Sequence, residues 1–200
     1  MSEKEYAFPT EVLTLPSKGL LYPKDHPLSS GTIDVKYMTA KEEDILTSTN
    51  LIEKGTVIDK LLESVIANDK IKLDDILLGD KNALMIGTRV LGYGPEYIVK
   101  FEDPDTSLEV EHTFNLTQLK NADIDYKLLE GGKNEFEFET PNSGDKIVFK
   151  LLTHGDEKNV EKEIKAYQKL SQVTGISNEL TTRLKYQICL LYTSDAADEG

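Results

Sequence analysis

Two hundred residues, 38% of them apolar, are enough for one cored domain or for one domain with an appendage. A formal net charge of −13, with Arg89 and Arg183 the only arginines among 23 basic residues, leaves no basic face to neutralise phosphates, so direct nucleic-acid binding is not expected. No apolar run reaches the ~20 residues needed to span a bilayer, Met1–Tyr6 lacks a signal-peptide core, and one cysteine, Cys189, excludes an internal disulfide framework and a multi-thiolate zinc site.

Residues 1–38 read as N-terminal strands around a proline-rich loop. Pro9, Pro16, Pro23 and Pro27 interrupt helix, so short extended segments are expected. Val12, Leu13 and Leu15 suit one strand. Ile33, Val35 and Tyr37 alternate in a second, with Asp34 and Lys36 turned to water. Between them, in Pro16–Gly31, Leu20, Leu21 and Tyr22 sit among turn residues. They either fold back onto the core, the commoner fate of apolar groups in ordered loops, or offer an anchor to a partner.

Residues 39–94 carry helical periodicity and form the part around which the rest is arranged. Thr39 and Glu42 have capping-box spacing ahead of Ile45 and Leu46, and Thr56 with Asp59 repeats it less strictly. Val57, Ile58, Leu61, Leu62, Val65 and Ile66 line one stripe that has to be buried. A further helix is expected to start at an Asp80 cap, to turn Ala83, Leu84, Ile86, Gly87, Val90 and Leu91 inward, and to stop at Gly92–Pro95.

Residues 95–152 alternate with period two. Tyr97, Val99 and Phe101 lead through the Asp103-Pro104-Asp105 turn to Leu108, Val110, Phe114 and Leu116, and His112 has the parity of that apolar face, as a partly buried, hydrogen-bonded residue would. Phe136 and Phe138 face Ile147, Phe149 and Leu151 across a Pro141–Asp145 turn. Four strands in two hairpins point to one small antiparallel sheet with a wet side. Residues 153–188 return to helical spacing: Val160, Ile164 and Tyr167 recur, Gly175 follows Val173 as a stop, and Asn178 caps a last helix with Leu180, Leu184 and Ile188 on one side. The expected class is therefore α+β, a helical segment packed with short N-terminal strands, an antiparallel sheet of hairpins and C-terminal helices.

Residues 189–200 stand apart. Cys189–Glu199 is similar to the in-frame translation of a sequencing adapter, so the natural product is expected to leave this frame near Ile188. Without Asp195, Asp198 and Glu199 the balance stays strongly acidic, and nothing is built on the thiol of Cys189.

Chemistry is sparse. His26, His112 and His154 lie far apart in sequence, and His154-Gly-Asp156-Glu157 reads as a helix start whose acids suit the dipole. There is no nucleophile elbow and no phosphate cradle. Gly92-Tyr-Gly94 follows a helix rather than a strand. Acidic neighbours such as Asp74 and Asp75 arise by chance among 36 carboxylates. No catalytic residue, cofactor or metal ligand is expected.

The distinctive blocks are Pro16–Gly31, Tyr37–Ser48, Gly55–Leu62 and Gly79–Asn82, in that order. Together they resemble the T4-like phage baseplate protein family, the hub subunit or hub-assembly protein of contractile tails, over about Phe8–Tyr186. The resemblance implies a non-enzymatic role in the tail baseplate, assembled in the host cytoplasm, with other baseplate and hub proteins as partners. It also implies a native C-terminus beyond this frame. Some relatives carry a cysteine pair near the turn matching Asp103–Ser107. None stands here, so a metal knuckle is not expected. Within this reading Leu20, Leu21 and Tyr22 are the candidate partner contact. An assembly chaperone absent from the finished virion and a metal-dependent hydrolase are the alternatives.

Overall fold

β1 (Thr10–Thr14) and β2 (Thr32–Lys36) pair antiparallel, from Thr10 opposite Lys36 to Thr14 opposite Thr32. The computed structural model describes residues 9–129, 131–171 and 179–192. Alternation in β2 sends Ile33 and Val35 into the core and leaves Thr32, Asp34 and Lys36 partly open, as a strand with one wet face requires. Tyr37, just past the strand, is exposed and donates its hydroxyl to Glu11.

Three short helices follow: α1 (Ala40–Leu46), α2 (Thr49–Glu53) and α3 (Val57–Val65). The capping box at α1 is formed, with the Thr39 amide donating to Glu42 Oε2 at 2.9 Å and the Thr39 hydroxyl accepting from the first turn. The second expected box is not. Thr56 makes no side-chain cap bond, and the Asp59 carboxylate lies beside Lys81 and His154. Leu61, Leu62 and Val65 pack inward, while Ile58 lies at the rim. The end of α3 is tied to β2 by a bridge between Ile66 and Val35 and by the Ala67 amide on Asp34 O.

Glu42 gives this joint a measurable acid limit. Burial pushes its carboxyl up, but hydrogen bonds from the Ser64 and Thr39 hydroxyls and from two backbone amides outweigh burial and bring its pKa down to about 2, against an ordinary 4.5. A depressed carboxylate stabilises the fold above its unfolded pKa and loses that contribution as pH falls through the folded one. Stability should therefore decline between pH 4.5 and about 2. Glu42→Gln should flatten that part of a urea-midpoint profile against pH, and an unchanged slope would show that other carboxylates set it.

The longest of these helices, α4 (Leu78–Tyr93), starts earlier than expected. Leu77 occupies the cap position, and Asp80 lies inside the first turn, buried and turned away from the helix end. The stop is as the glycines suggest: α4 closes at Tyr93, and Gly94 takes φ +82°, where a side chain would be strained. A Cβ at Gly87 would collide with the Leu13 side chain, so β1 lies directly on the helix backbone there.

The hairpins form but do not share a sheet. Among the described residues β3 (Glu96–Glu102) pairs only with β4 (Glu109–Asn115), and β5 (Phe136–Glu139) pairs with β6 (Lys146–Phe149). The third strand of the second sheet is β7 (Ile188–Tyr192), which pairs with β6. Leu151 lies past the end of β6, and Ile188 opens β7 instead of closing the last helix.

Helices α5 (His154–Ser171) and α6 (Glu179–Gln187) complete a mixed α+β architecture. The start of α5 is capped reciprocally, with Asp156 Oδ2 accepting from the Thr153 amide at 3.1 Å and the Asp156 amide donating to the Thr153 hydroxyl at 3.2 Å. Arg183–Glu157 and Lys185–Glu163 ion pairs join α6 to α5, while Leu180 and Leu184 are exposed. Val173, Gly175 and Asn178 lie outside the described residues. The core runs through Leu15, Leu28, Val35, Leu62, Ile76 and Leu84, so the N-terminal loop, β2, α3 and α4 share one interior.

Candidate docking surface

The Pro16–Gly31 loop folds back. Leu21 and Tyr22 are 7% and 6% exposed, and Leu20 is half-buried against the same cluster. The Tyr22 hydroxyl donates to Asp80 Oδ2 at 2.7 Å and accepts from the Leu77 amide at 3.0 Å, while Ser17 donates to Asp80 through both its amide (2.9 Å) and its hydroxyl (2.6 Å). Asp80, 1% exposed, thereby receives three donors from the loop. The candidate contact at Leu20, Leu21 and Tyr22 is corrected accordingly: Leu21 and Tyr22 are core residues that present no surface, because a buried carboxylate on α4 holds the loop against the body. His26 stacks on Tyr22 at 5.3 Å between centroids and caps the Pro27–Ser30 turn.

The three histidines stay apart. His112 stands exposed on β4, edge-on to Phe114 at 4.4 Å, where a partly buried position was expected. His154 is buried at the meeting of α3, α4 and α5, with Nε2 3.0 Å from Asp59 Oδ2 and Nδ1 2.9 Å from Lys81 Nζ. Lys81 on α4 and Asp59 on α3 thus lie beside the two ring nitrogens from opposite sides. This arrangement ties three helices together. Among the described residues no three His, Cys, Asp or Glu side chains converge as a metal ion would require.

One open groove is apolar, whereas the cleft lined by Glu63, Asn68, Asp69, Lys72 and Asp74 is polar. Between α3, α4 and the start of β3 lies a groove of about 410 Å³ whose floor and rim include Met38, Ile58, Met85, Thr88, Tyr93 and Tyr97. Thr88 is 2% exposed, and its hydroxyl has no partner among the described residues. Arg89 lies over the Tyr93 and Tyr97 rings and donates to the carbonyls of Gly94 and Glu96, which fixes the hairpin's root to α4. From that root β3 and β4 run outward, and among the described residues neither outer edge pairs with another strand. Register places Tyr97 opposite Phe114 and Phe101 opposite Val110, so these side chains share one face. That face is uncovered, with Tyr97 46% and Phe114 48% exposed. Parity identified the face, but nothing in the period told whether it would be covered.

The α+β body, in which the buried Asp80 carboxylate braces the Pro16–Gly31 loop, thus carries an open apolar groove and an open apolar hairpin face. The family model described as T4 bacteriophage base plate protein matches residues 14–170, and the chain belongs to that family. It is a T4-like baseplate protein, and its place is the baseplate of a phage tail. No curated protein and no solved structure matches it. Among the described residues no helix is long and apolar enough to cross a membrane.

Proposed function

We propose that this protein is a non-enzymatic component of the baseplate hub of a contractile phage tail, acting through contacts with other baseplate proteins as the structure assembles in the host cytoplasm. The observation that carries the reading is the family match, continuous over residues 14–170. The hub assignment draws on the resemblance of the ordered blocks Pro16–Gly31, Tyr37–Ser48, Gly55–Leu62 and Gly79–Asn82 to hub subunits. The uncovered apolar groove and hairpin support a role played by surface rather than by a reacting pocket.

The test is genetic and structural together. Disrupting the reading frame in the phage should leave tails or tail tubes without complete baseplates in electron micrographs, and supply of the chain from a plasmid should restore them. Normal baseplates in the disrupted phage would overturn the reading. Mass spectrometry of purified virions then separates two roles: a stoichiometric signal marks a hub subunit, and its absence from virions that require the gene marks an assembly factor.

A further inference from the structure

We propose that the outer edge of β6 is a strand-receiving site whose natural occupant is the stretch that follows Ile188 in the phage's own product, so that β7 marks the place of a native strand of different sequence. Cys189–Glu199 is similar to an adapter translation, yet Ile188–Tyr192 pairs with β6. What directs it there lies before the sequence changes. The Lys150 amide donates to Gln187 O at 2.9 Å and Phe149 stands opposite Ile188, so α6 hands the chain to the end of β6 already antiparallel. Whatever follows is led along that edge. Ladder bonds are made by the backbone and are blind to side chains, which lets a foreign sequence take the position.

Rows across the sheet then state what the natural residues have to be. Phe136, Phe149 and Ile188 form one row, with the two phenylalanine rings 5.4 Å apart, and Phe138, Ile147 and position 191 form the next on the same face. Position 189 is absorbed in the irregularity between Val148 and Phe149. On the other face position 190 joins Glu137 and Val148, and position 192 joins Glu139 and Lys146. Phe136 packs on the core cluster while Phe138 is 52% exposed, so the apolar face lies open at the row that position 191 joins. An apolar or β-branched residue fits position 191, a polar one fits position 192, and proline is not expected in the paired stretch. Left without an occupant, Lys146–Val148 would present unpaired amides and carbonyls to any passing strand.

The experiment begins with the phage genome. Read past Ile188, the natural frame should continue as a strand, with an apolar residue at position 191 and no proline over positions 189–192. Hydrogen exchange then compares that natural full-length product with the same product stopped after Ile188. The Lys146 and Val148 amides lie on the same side of β6 as the Lys150 amide, and they should exchange about tenfold faster or more in the stopped product, whose melting temperature should fall by about 3 °C. A second variant keeps the chain at full length. Leu190→Pro with Leu191→Pro in the 200-residue chain should raise the same two exchange rates, because successive amides of a strand point to opposite sides and one of this pair must face β6. Both changes lie outside the core between Leu15 and Leu84, so the body remains folded for comparison. Three results overturn the proposal: a natural frame that runs on as Cys189–Tyr192 or breaks the strand with proline, equal exchange at Lys146 and Val148 in the natural and stopped products, or equal exchange with and without the two prolines. None of them touches the baseplate reading, which stands on residues 14–170.

Discussion

Asp80→Ala should lower the stability of the fold by about 4 kcal/mol, enough to shift a thermal midpoint by roughly 10 °C in a chain of this size. The carboxylate is 1% exposed and accepts from the Ser17 amide, the Ser17 hydroxyl and the Tyr22 hydroxyl. Removing it strands all three donors in the interior, and each buried donor left unmade costs about 1–3 kcal/mol, partly recovered as the loop relaxes. A urea titration with unchanged m-value reads the loss, and a change under about 1 kcal/mol would mean that water replaces Asp80 without penalty. The same cluster sets an alkaline limit. Burial first, then the charge of Asp80, push the Tyr22 hydroxyl above the ordinary tyrosine range. Its protonated form is thus favoured in the folded state, and the associated stability is complete below a pH of about 10 and lost as pH climbs beyond it. Tyr22→Phe should remove that alkaline decline.

Gly19→Ala should cost a comparable amount, about 4 kcal/mol, for a different reason. Gly19 holds φ +74°, and a Cβ there would lie 2.6 Å from the Gly31 amide nitrogen, 2.6 Å from Leu28 O and 2.7 Å from Ser29 O. All three are backbone atoms that cannot swing aside, so the loop has to open. Gly55→Ala is the control. It shares the left-handed backbone at φ +66° but has nothing within 4 Å of the added carbon. Conformational strain alone costs about 1–2 kcal/mol, so the difference between the two variants isolates the collision. Equal midpoints in denaturant would show that the loop does not hold this close approach in solution.

Local chemistry was readable from residue order. The box at Thr39–Glu42, the stripe from Leu61 to Ile66, the glycine stop after Tyr93 and both hairpin turns rest on neighbours within a few positions, which is where capping, periodicity and turn preference act. Asp80 shows where that reach ends. Its spacing imitates a cap, yet its partners lie 63 and 58 positions away, and only the folded loop brings them to it. Asp59 has the same character, since Lys81 and His154, the groups beside its carboxylate, are distant in sequence. Parity correctly grouped His112 with Val110 and Phe114, but period two carries no information on what lies above a face, or on whether two hairpins will join edge to edge. The groove is not legible in residue order because Met38, Ile58, Thr88 and Tyr97 come from four separate segments.

The 63-residue interval between Ser17 and Asp80 also dictates an order of events on the ribosome. At translation speeds of about 5–20 residues per second, the nascent Pro16–Gly31 segment waits roughly 3–12 s before its acceptor emerges, and all that time Leu21 and Tyr22 stand open to chaperones or to other chains. Closure of α5 comes later still, since the Leu78 amide needs Leu152 O and the Ile76 carbonyl needs the His154 amide. Slowing synthesis between those two points prolongs the vulnerable stage, whereas slowing it after residue 160 has little left to expose.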